Sequence, residues 1–278
     1  EVEQEKLYDG EENYIRLGGI GNFDNPIEEI LEKVKEQGVV LKKYTEINNG
    51  VHTQADYLTP KKFEFRDNKL KERGDGIYVL DKKKINDIVV LKKISEKEFL
   101  KPFYKNSDVF KYNTSQKTSK LLIYINKQKN NIGELPNIKK HLDNFKTIID
   151  KASDNAPYLH RSKIIKWNLP KIVAPQRSKT NTFGYNEIPW YAASDVFFIT
   201  AKENSEIELK YILALLNSKL YYQWLYYRGK KKGETLELIA KPLSEIPIKK
   251  ISPEAQKPFI DLVDKILEIT SAEDYDPK

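Results

Sequence analysis

LALLNSKLYYQWLYYRGKKKGETLELIAKPLSEIPI, Leu213 to Ile248, places an amphipathic helix, a basic glycine-flanked loop and a short apolar proline-containing segment one after another. Leu209, Ile212, Leu213, Leu216, Leu220 and Trp224 recur at spacings of three and four, so one face of the helix packs on a core. Asn217 and Ser218 lie elsewhere on that helix. Beyond its end Arg228, Lys230, Lys231 and Lys232 stand in one loop with Gly229 and Gly233, where a flexible backbone can approach a chain of phosphates. Taken alone, a lysine-rich loop after a helix is ordinary solvated surface, so the rest of the chain has to decide its meaning.

Outward from this stretch the elements alternate in kind. The helix is expected over Ile207 to Tyr227, and a second from Ser252, with Pro253 at its first position and Phe259, Leu262, Val263, Ile266 and Leu267 facing inward. Upstream, Lys171 to Pro175 and Asp195 to Thr200 read as strands, the second apolar enough to be central. Asn137 to Ile149 reads as a helix burying Ile138, Leu142, Phe145 and Ile148. Val39 to Ile125 reads as short strands between Gly, Pro, Asn and Asp, including Gly76 to Leu80 and Leu121 to Ile125. Residues 1–40 read as a separate acidic, helical piece, with Asn25 capping a helix that starts at Pro26, carries Glu28 and Glu29 in its first turn and ends at Gly38. The expected fold is α+β, mixed strands and helices with a helical C-terminal part, and residues 41–278 form the main domain.

Composition narrows the function classes. With 32% charged residues and no apolar run of about 20, nothing in the sequence suits a bilayer span, and the acidic start does not resemble a signal peptide. A cytoplasmic protein is expected. No cysteine is present, so disulfides and thiolate metal sites are excluded, and His52, His141 and His160 are too scattered for a metal cage. With no methionine, the chain is expected to be a piece of a longer protein, or to have lost modified methionines from its written sequence. A compositionally biased genome could supply much of the basic excess. Against that, Glu1 to Glu36 holds 11 acidic and 4 basic residues while the remainder nets +14, so positive charge is concentrated in the main domain.

Sites for chemistry are weak. Gly18, Gly19 and Gly21 lack the third glycine of a dinucleotide fingerprint, since Asp24 stands there, and read as a turn. Glu206, Glu208 and Lys210 have the letters of a nuclease centre, but they open an amphipathic helix, where acidic residues suit the dipole. What remains is a binding surface. From Asn155 to Asn186 no residue is acidic, while Arg161, Lys163, Lys166, Lys171, Arg177 and Lys179 stand among Tyr158, Trp167, Phe183 and Tyr185. Gln176 and Arg177, after a strand end, suit base edges, since Arg can pair with guanine and Gln with adenine through two hydrogen bonds; an exposed Gln-Arg pair is also common plain surface. Lys105, Asn106 and Ser107 form a second candidate loop, in which Asp108 either reads or pins its own turn. Asn48, Asn49, His52 and Gln54 form a third. Trp190 is read as core, with stacking on a sugar-phosphate edge as the alternative, and catalytic and metal residues are expected to be absent.

The order of these words resembles the TaqI-like C-terminal specificity domain of type IIG restriction-modification enzymes and adenine-specific DNA methyltransferases. The resemblance rests on Leu216 to Leu220, an L-N-S-K-L word, the basic loop Arg228 to Gly233 and the closing Leu243 to Ile248. In the same order come INNGVHTQADYL (Ile47 to Leu58), LKPFYKNSDVFKY (Leu100 to Tyr112), WNLPKIVAPQRS (Trp167 to Ser178) and WYAASDVFFIT (Trp190 to Thr200), the last two resembling paired central strands. It covers roughly Lys42 to Ile269. It implies recognition of double-stranded DNA for a methyltransferase domain linked to this chain, with residues 1–40 as the junction that follows that domain. It also implies a parent enzyme using S-adenosylmethionine, with Mg if a nuclease is attached, and no cofactor bound by this chain. The N-P-P-Y-like word of adenine methyltransferases is missing, Asn168 to Pro170 only beginning one, so catalysis is expected elsewhere. A free-standing nuclease and a specificity subunit of the type I kind are the alternatives.

Overall fold

The computed structural model describes residues 8–9, 14–15, 26–53, 55–82, 94–126, 131–152 and 167–270. β1 (Tyr8–Asp9) and β2 (Tyr14–Ile15) form a small antiparallel pair. Then follow α1 (Pro26–Gln37), β3 (Gly38–Val40), β4 (Thr45–Asn49), β5 (Val79–Asp81), β6 (Leu100–Tyr104) and β7 (Lys120–Ile123). The middle of the chain supplies α2 (Pro136–Asp143), α3 (Lys146–Ala152), β8 (Lys171–Pro175), β9 (Arg177–Ser178), β10 (Gly184–Asn186), β11 (Tyr191–Ala192) and β12 (Val196–Ala201). The last part holds α4 (Leu209–Leu216), α5 (Lys219–Tyr227), β13 (Lys231–Lys232), β14 (Thr235–Glu237), α6 (Ala240–Ser244), β15 (Pro247–Lys249) and α7 (Pro253–Thr270). The fold is α+β.

A four-stranded sheet, β10-β8-β12-β4, divides two hydrophobic cores. Successive side chains of a strand point to opposite faces. Accordingly Val173, Val196 and Phe198 enter one core, and Ile172, Ala174, Phe197 and Ile199 the other. Burial on both faces explains why β8 and β12 are nearly continuous apolar runs, and they pair antiparallel, Phe198 opposite Val173.

The first core lies between this sheet and a second one, β11-β6-β7-β5. Trp190 is fully buried there, stacked 4.5 Å from Tyr104, with Nε1 donating to the Ser115 carbonyl at 3.0 Å. The helix expected over Asn137 to Ile149 is broken at Asn144. The Asn144 side chain donates to the Lys140 and His141 carbonyls, and its own carbonyl accepts from Asp67 and Asn68. Asp67 then accepts from the Thr147 N–H, capping α3 from a distant loop, as Glu96 caps α2 through Ile138 N at 2.8 Å.

The second core gathers α4, α5 and α6 with parts of α1 and α7. The helix expected from Ile207 to Tyr227 is likewise two helices, because Asn217 and Ser218 separate α4 from α5. Asn217 is buried and hydrogen-bonds both Phe183 backbone groups, accepting from N at 3.2 Å and donating to O at 2.8 Å. Ser218 accepts from Tyr221 N and caps α5. The L-N-S-K-L word is therefore a joint that registers two helices on a strand lead-in. α1 buries Leu31 in this core, and β3 pairs with β15, so residues 26–40 pack with the main domain and packing is continuous across residue 40. On α7 the buried positions are Gln256, Val263 and Thr270; Leu262 is 58% and Phe259 39% exposed, contrary to the inward face expected for them.

Candidate nucleic-acid interface

The basic glycine loop is a β-hairpin. Lys232 pairs with Thr235 across Gly233 and Glu234, and Gly233 has φ +58°, the left-handed value a tight hairpin turn demands at its first central position. β14 then pairs with β9, placing Glu237 opposite Arg177. A single three-stranded sheet, β13-β14-β9, thus joins residues that the sequence holds far apart: Arg177 and Ser178 on one edge, Lys231 and Lys232 on the other. Arg177, Lys179, Lys230, Lys231 and Lys232 are all exposed. Lys231 Nζ lies 3.9 Å from the centroid of the Tyr226 ring.

Among these cations, on the face of Arg177, sits Glu237, a residue sequence reading missed. Its side chain is only 8% exposed, with Lys230 Nζ 2.8 Å from Oε2 and Arg177 Nε 3.7 Å from Oε1. The Lys230 hydrogen bond holds the carboxyl below its usual range against an opposing effect of burial, with the Arg177 and Lys232 charges adding to it. The available signal was alternation: in Leu236-Glu237-Leu238 the flanking leucines are buried in the core, so the glutamate between them points to the other face of the strand.

Backbone hydrogen bonds link this sheet to the other candidate loops. Gln176 donates from N to the Asp195 carbonyl at 2.7 Å and accepts from Leu238 N at 2.8 Å. Ala193 N reaches the Tyr104 carbonyl, and Gly50 N and Val51 N reach the Val196 and Ala192 carbonyls. Gly50 permits this approach, since a Cβ there would lie 2.1 Å from the Ala193 oxygen. The half-buried Asn48 and Asn49 lie on β4 opposite Phe198 and Phe197. Lys105, half buried, and the exposed Asn106 and Ser107 lie on the turn after β6, which Asp108 pins by accepting from Lys105 N at 2.8 Å. Burial pushes the Asp56 and Asp195 carboxyls up, and the nearby Lys105 ammonium opposes this.

Other expected residues are placed differently. Gln54, Arg161, Lys163 and Lys166 lie outside the described residues, as do Tyr158 and His160. Arg228 is turned to α1, its Nη2 2.5 Å from Glu28 and 2.7 Å from Glu32, with the side chain 13% exposed. Lys171, expected to face phosphates, is buried and donates to the Leu169 and Ile188 carbonyls; burial pushes its ammonium down to about 8. Trp167, Phe183 and Tyr185 are core residues. Glu206 is paired with Lys250 at 2.5 Å and Lys210 with Asp264 at 2.6 Å. Among the described residues no group of three His, Asp or Glu could hold a metal ion, and no helix is long and apolar enough to cross a membrane.

Comparison with known proteins adds a family. The model of the TaqI-like C-terminal specificity domain matches residues 101–248. The Type II methyltransferase M.HincII of Haemophilus influenzae is 30% identical over 145 residues, covering 48% of this chain and 29% of that protein. M.HindII of Haemophilus influenzae is 30% identical over 160 residues, 53% of this chain and 31% of that protein. The match thus spans about a third of the length of these relatives. Among solved structures, the type IIL restriction-modification enzyme MmeI in complex with DNA superposes with TM-score 0.59 at 13% identity, covering 85% of this chain and 29% of that one. The type IIG restriction endonuclease BpuSI gives TM-score 0.51 at 14% identity, covering 86% and 28%. At such identities the two structures speak for the fold.

Proposed function

The chain belongs to the TaqI-like C-terminal specificity domain family, and from that premise we propose that it recognises a double-stranded DNA sequence for a restriction-modification enzyme. The observation that carries this reading is the β13-β14-β9 sheet, whose strands and their flanks hold the exposed Arg177, Lys179, Lys230, Lys231 and Lys232 close in space, with Arg177 and Lys232 on one face and Lys231 on the other. The lysines neutralise phosphates and set register, while Gln176 and Arg177 contact base edges. Asn48, Asn49, Lys105, Asn106 and Ser107 are further candidates, on segments that backbone hydrogen bonds connect through residues 192–196. Arg161, Lys163 and Lys166 belong to the same proposal from sequence alone. The contacts of Arg228 with α1 give it a structural part instead.

The parent enzyme, on this reading, carries a covalently linked methyltransferase domain that uses S-adenosylmethionine to methylate adenine. It would need Mg only if a nuclease is attached, and it works in the cytoplasm. This chain holds the DNA, and bond-making occurs in the linked domain. The test is a binding selection from a randomised duplex pool, followed by variants. Lys231→Glu with Lys232→Glu should weaken every duplex alike and flatten the salt dependence. Arg177→Ala should relax preference at one base position. Equal losses on all sequences from both changes would remove Arg177 as a reader.

A further inference from the structure

We infer that Glu237 is a positioning residue for sequence discrimination, holding Arg177 and Lys230 in fixed directions from the middle strand of the β13-β14-β9 sheet; the inference rests on the DNA-recognition reading above. A carboxylate among phosphate-binding cations lowers the attraction of their surface for DNA, so its presence there calls for a physical role. Two roles are chemically open. A glutamate can accept a hydrogen bond from the cytosine amino group, or it can orient an arginine that does the reading.

Exposure decides between them. With 8% of its side chain exposed and one oxygen taken by the Lys230 ammonium at 2.8 Å, Glu237 offers no free edge to a base. Arg177, 48% exposed, reaches it through Nε at 3.7 Å. The backbone reinforces the arrangement. Glu237 is the register partner of Arg177 across β14 and β9, and its N–H donates to the Lys230 carbonyl at 2.7 Å. Both cations therefore emerge from residues bonded to the strand that carries the carboxylate. An arginine kept beside a carboxylate by an ion pair loses less side-chain freedom when it meets the two acceptors of a guanine edge, and that advantage is lost at a wrong base. Glu237 thus trades general affinity for selectivity.

The experiment compares the full chain with Glu237→Gln on two probes, a duplex selected by the unaltered protein from a random pool and a scrambled duplex. Glu237→Gln should bind the scrambled duplex as tightly as before or more tightly, because a negative charge has gone. Its ratio of selected to scrambled affinity should fall roughly tenfold. Thermal melting checks that both chains are folded. A second variant, Arg177→Lys, keeps the charge but not the fork. It should lose the same selectivity with an unchanged salt slope, and it keeps the inference testable should Glu237→Gln fail to fold. Unaltered selectivity in either folded variant overturns the inference, as does an equal loss on both duplexes with Glu237→Gln, which would mark a merely structural carboxylate. If the unaltered chain selects no sequence, the DNA-recognition reading itself fails, a result visible before any variant is made.

Discussion

Arg228 and Lys231 are three residues apart, yet they serve different parts of the molecule. Arg228 ends α5 and is drawn onto Glu28 and Glu32 of α1, with only 13% of its side chain exposed. Lys231 begins the hairpin and is exposed beside Tyr226. Asn217, Tyr221 and Arg228 join elements to one another, whereas the stretch from Lys230 to Glu237 gathers exposed charge. A run of basic letters is therefore not one functional unit. What separates its members is where acidic partners stand in space.

The largest expected effect tests the joining half of that contrast. Asn217→Ala removes both hydrogen bonds to the Phe183 backbone and leaves the buried Phe183 N–H without the amide, while the Phe183 carbonyl keeps the Tyr112 N–H, a loss of about 4 kcal/mol in denaturant unfolding. A loss below about 1 kcal/mol would mean that the α4-α5 joint does not depend on the amide.

The opposite core supplies a pH-dependent counterpart. His141 is buried, its Nε2 2.9 Å from the Ile77 carbonyl, and burial pushes its pKa down to about 4. The unfolded chain binds this proton from about pH 6.5 downward while the folded chain resists it. The contribution is complete above pH 6.5 and is lost as pH falls toward 4, by about 3 kcal/mol. His141→Gln should flatten the stability profile across that window; an unchanged profile would place the pH sensitivity elsewhere.

Arg228→Ala comes next. It uncouples α1 from α5 and leaves Glu28 and Glu32 without this partner, at about 2 kcal/mol, while DNA affinity measured well below the melting point stays unchanged. An affinity loss without a melting shift would move Arg228 to the surface half of the contrast. The smallest stability effect belongs to Lys231→Gln with Lys232→Gln, within about 0.5 kcal/mol by melting. The same pair should lower the salt slope of DNA binding by about 2, one phosphate for each lysine.

How much was legible follows from how local each determinant is. β8 and β12 could be read because strands covered on both faces are continuously apolar, and α1 because Pro26 and its early glutamates mark a start. The breaks at Asn144 and Asn217 could not, since Asn68, which donates to the Asn144 amide oxygen, and Phe183, which meets the Asn217 amide, lie 76 and 34 residues away. Arg228 misled because Glu28 is 200 residues distant. Leu262 misled because α7 buries a stripe narrower than its apolar pattern. In the proposed interface the cations stand out as letters. Their assembly on β13-β14-β9, and the carboxylate among them, required a strand pairing across about sixty positions.

The most direct test is a fluorescence titration of the full chain with a labelled duplex between 50 and 200 mM salt (about the range where phosphate contacts are read), beside the chain carrying Lys179→Glu, Lys231→Glu and Lys232→Glu. The account predicts binding that weakens steeply with salt in the unaltered chain, and a shallow, much weaker curve in the variant with its melting temperature intact. No binding at the lowest salt, or equal curves for the two chains, would contradict the claim that this basic sheet holds DNA.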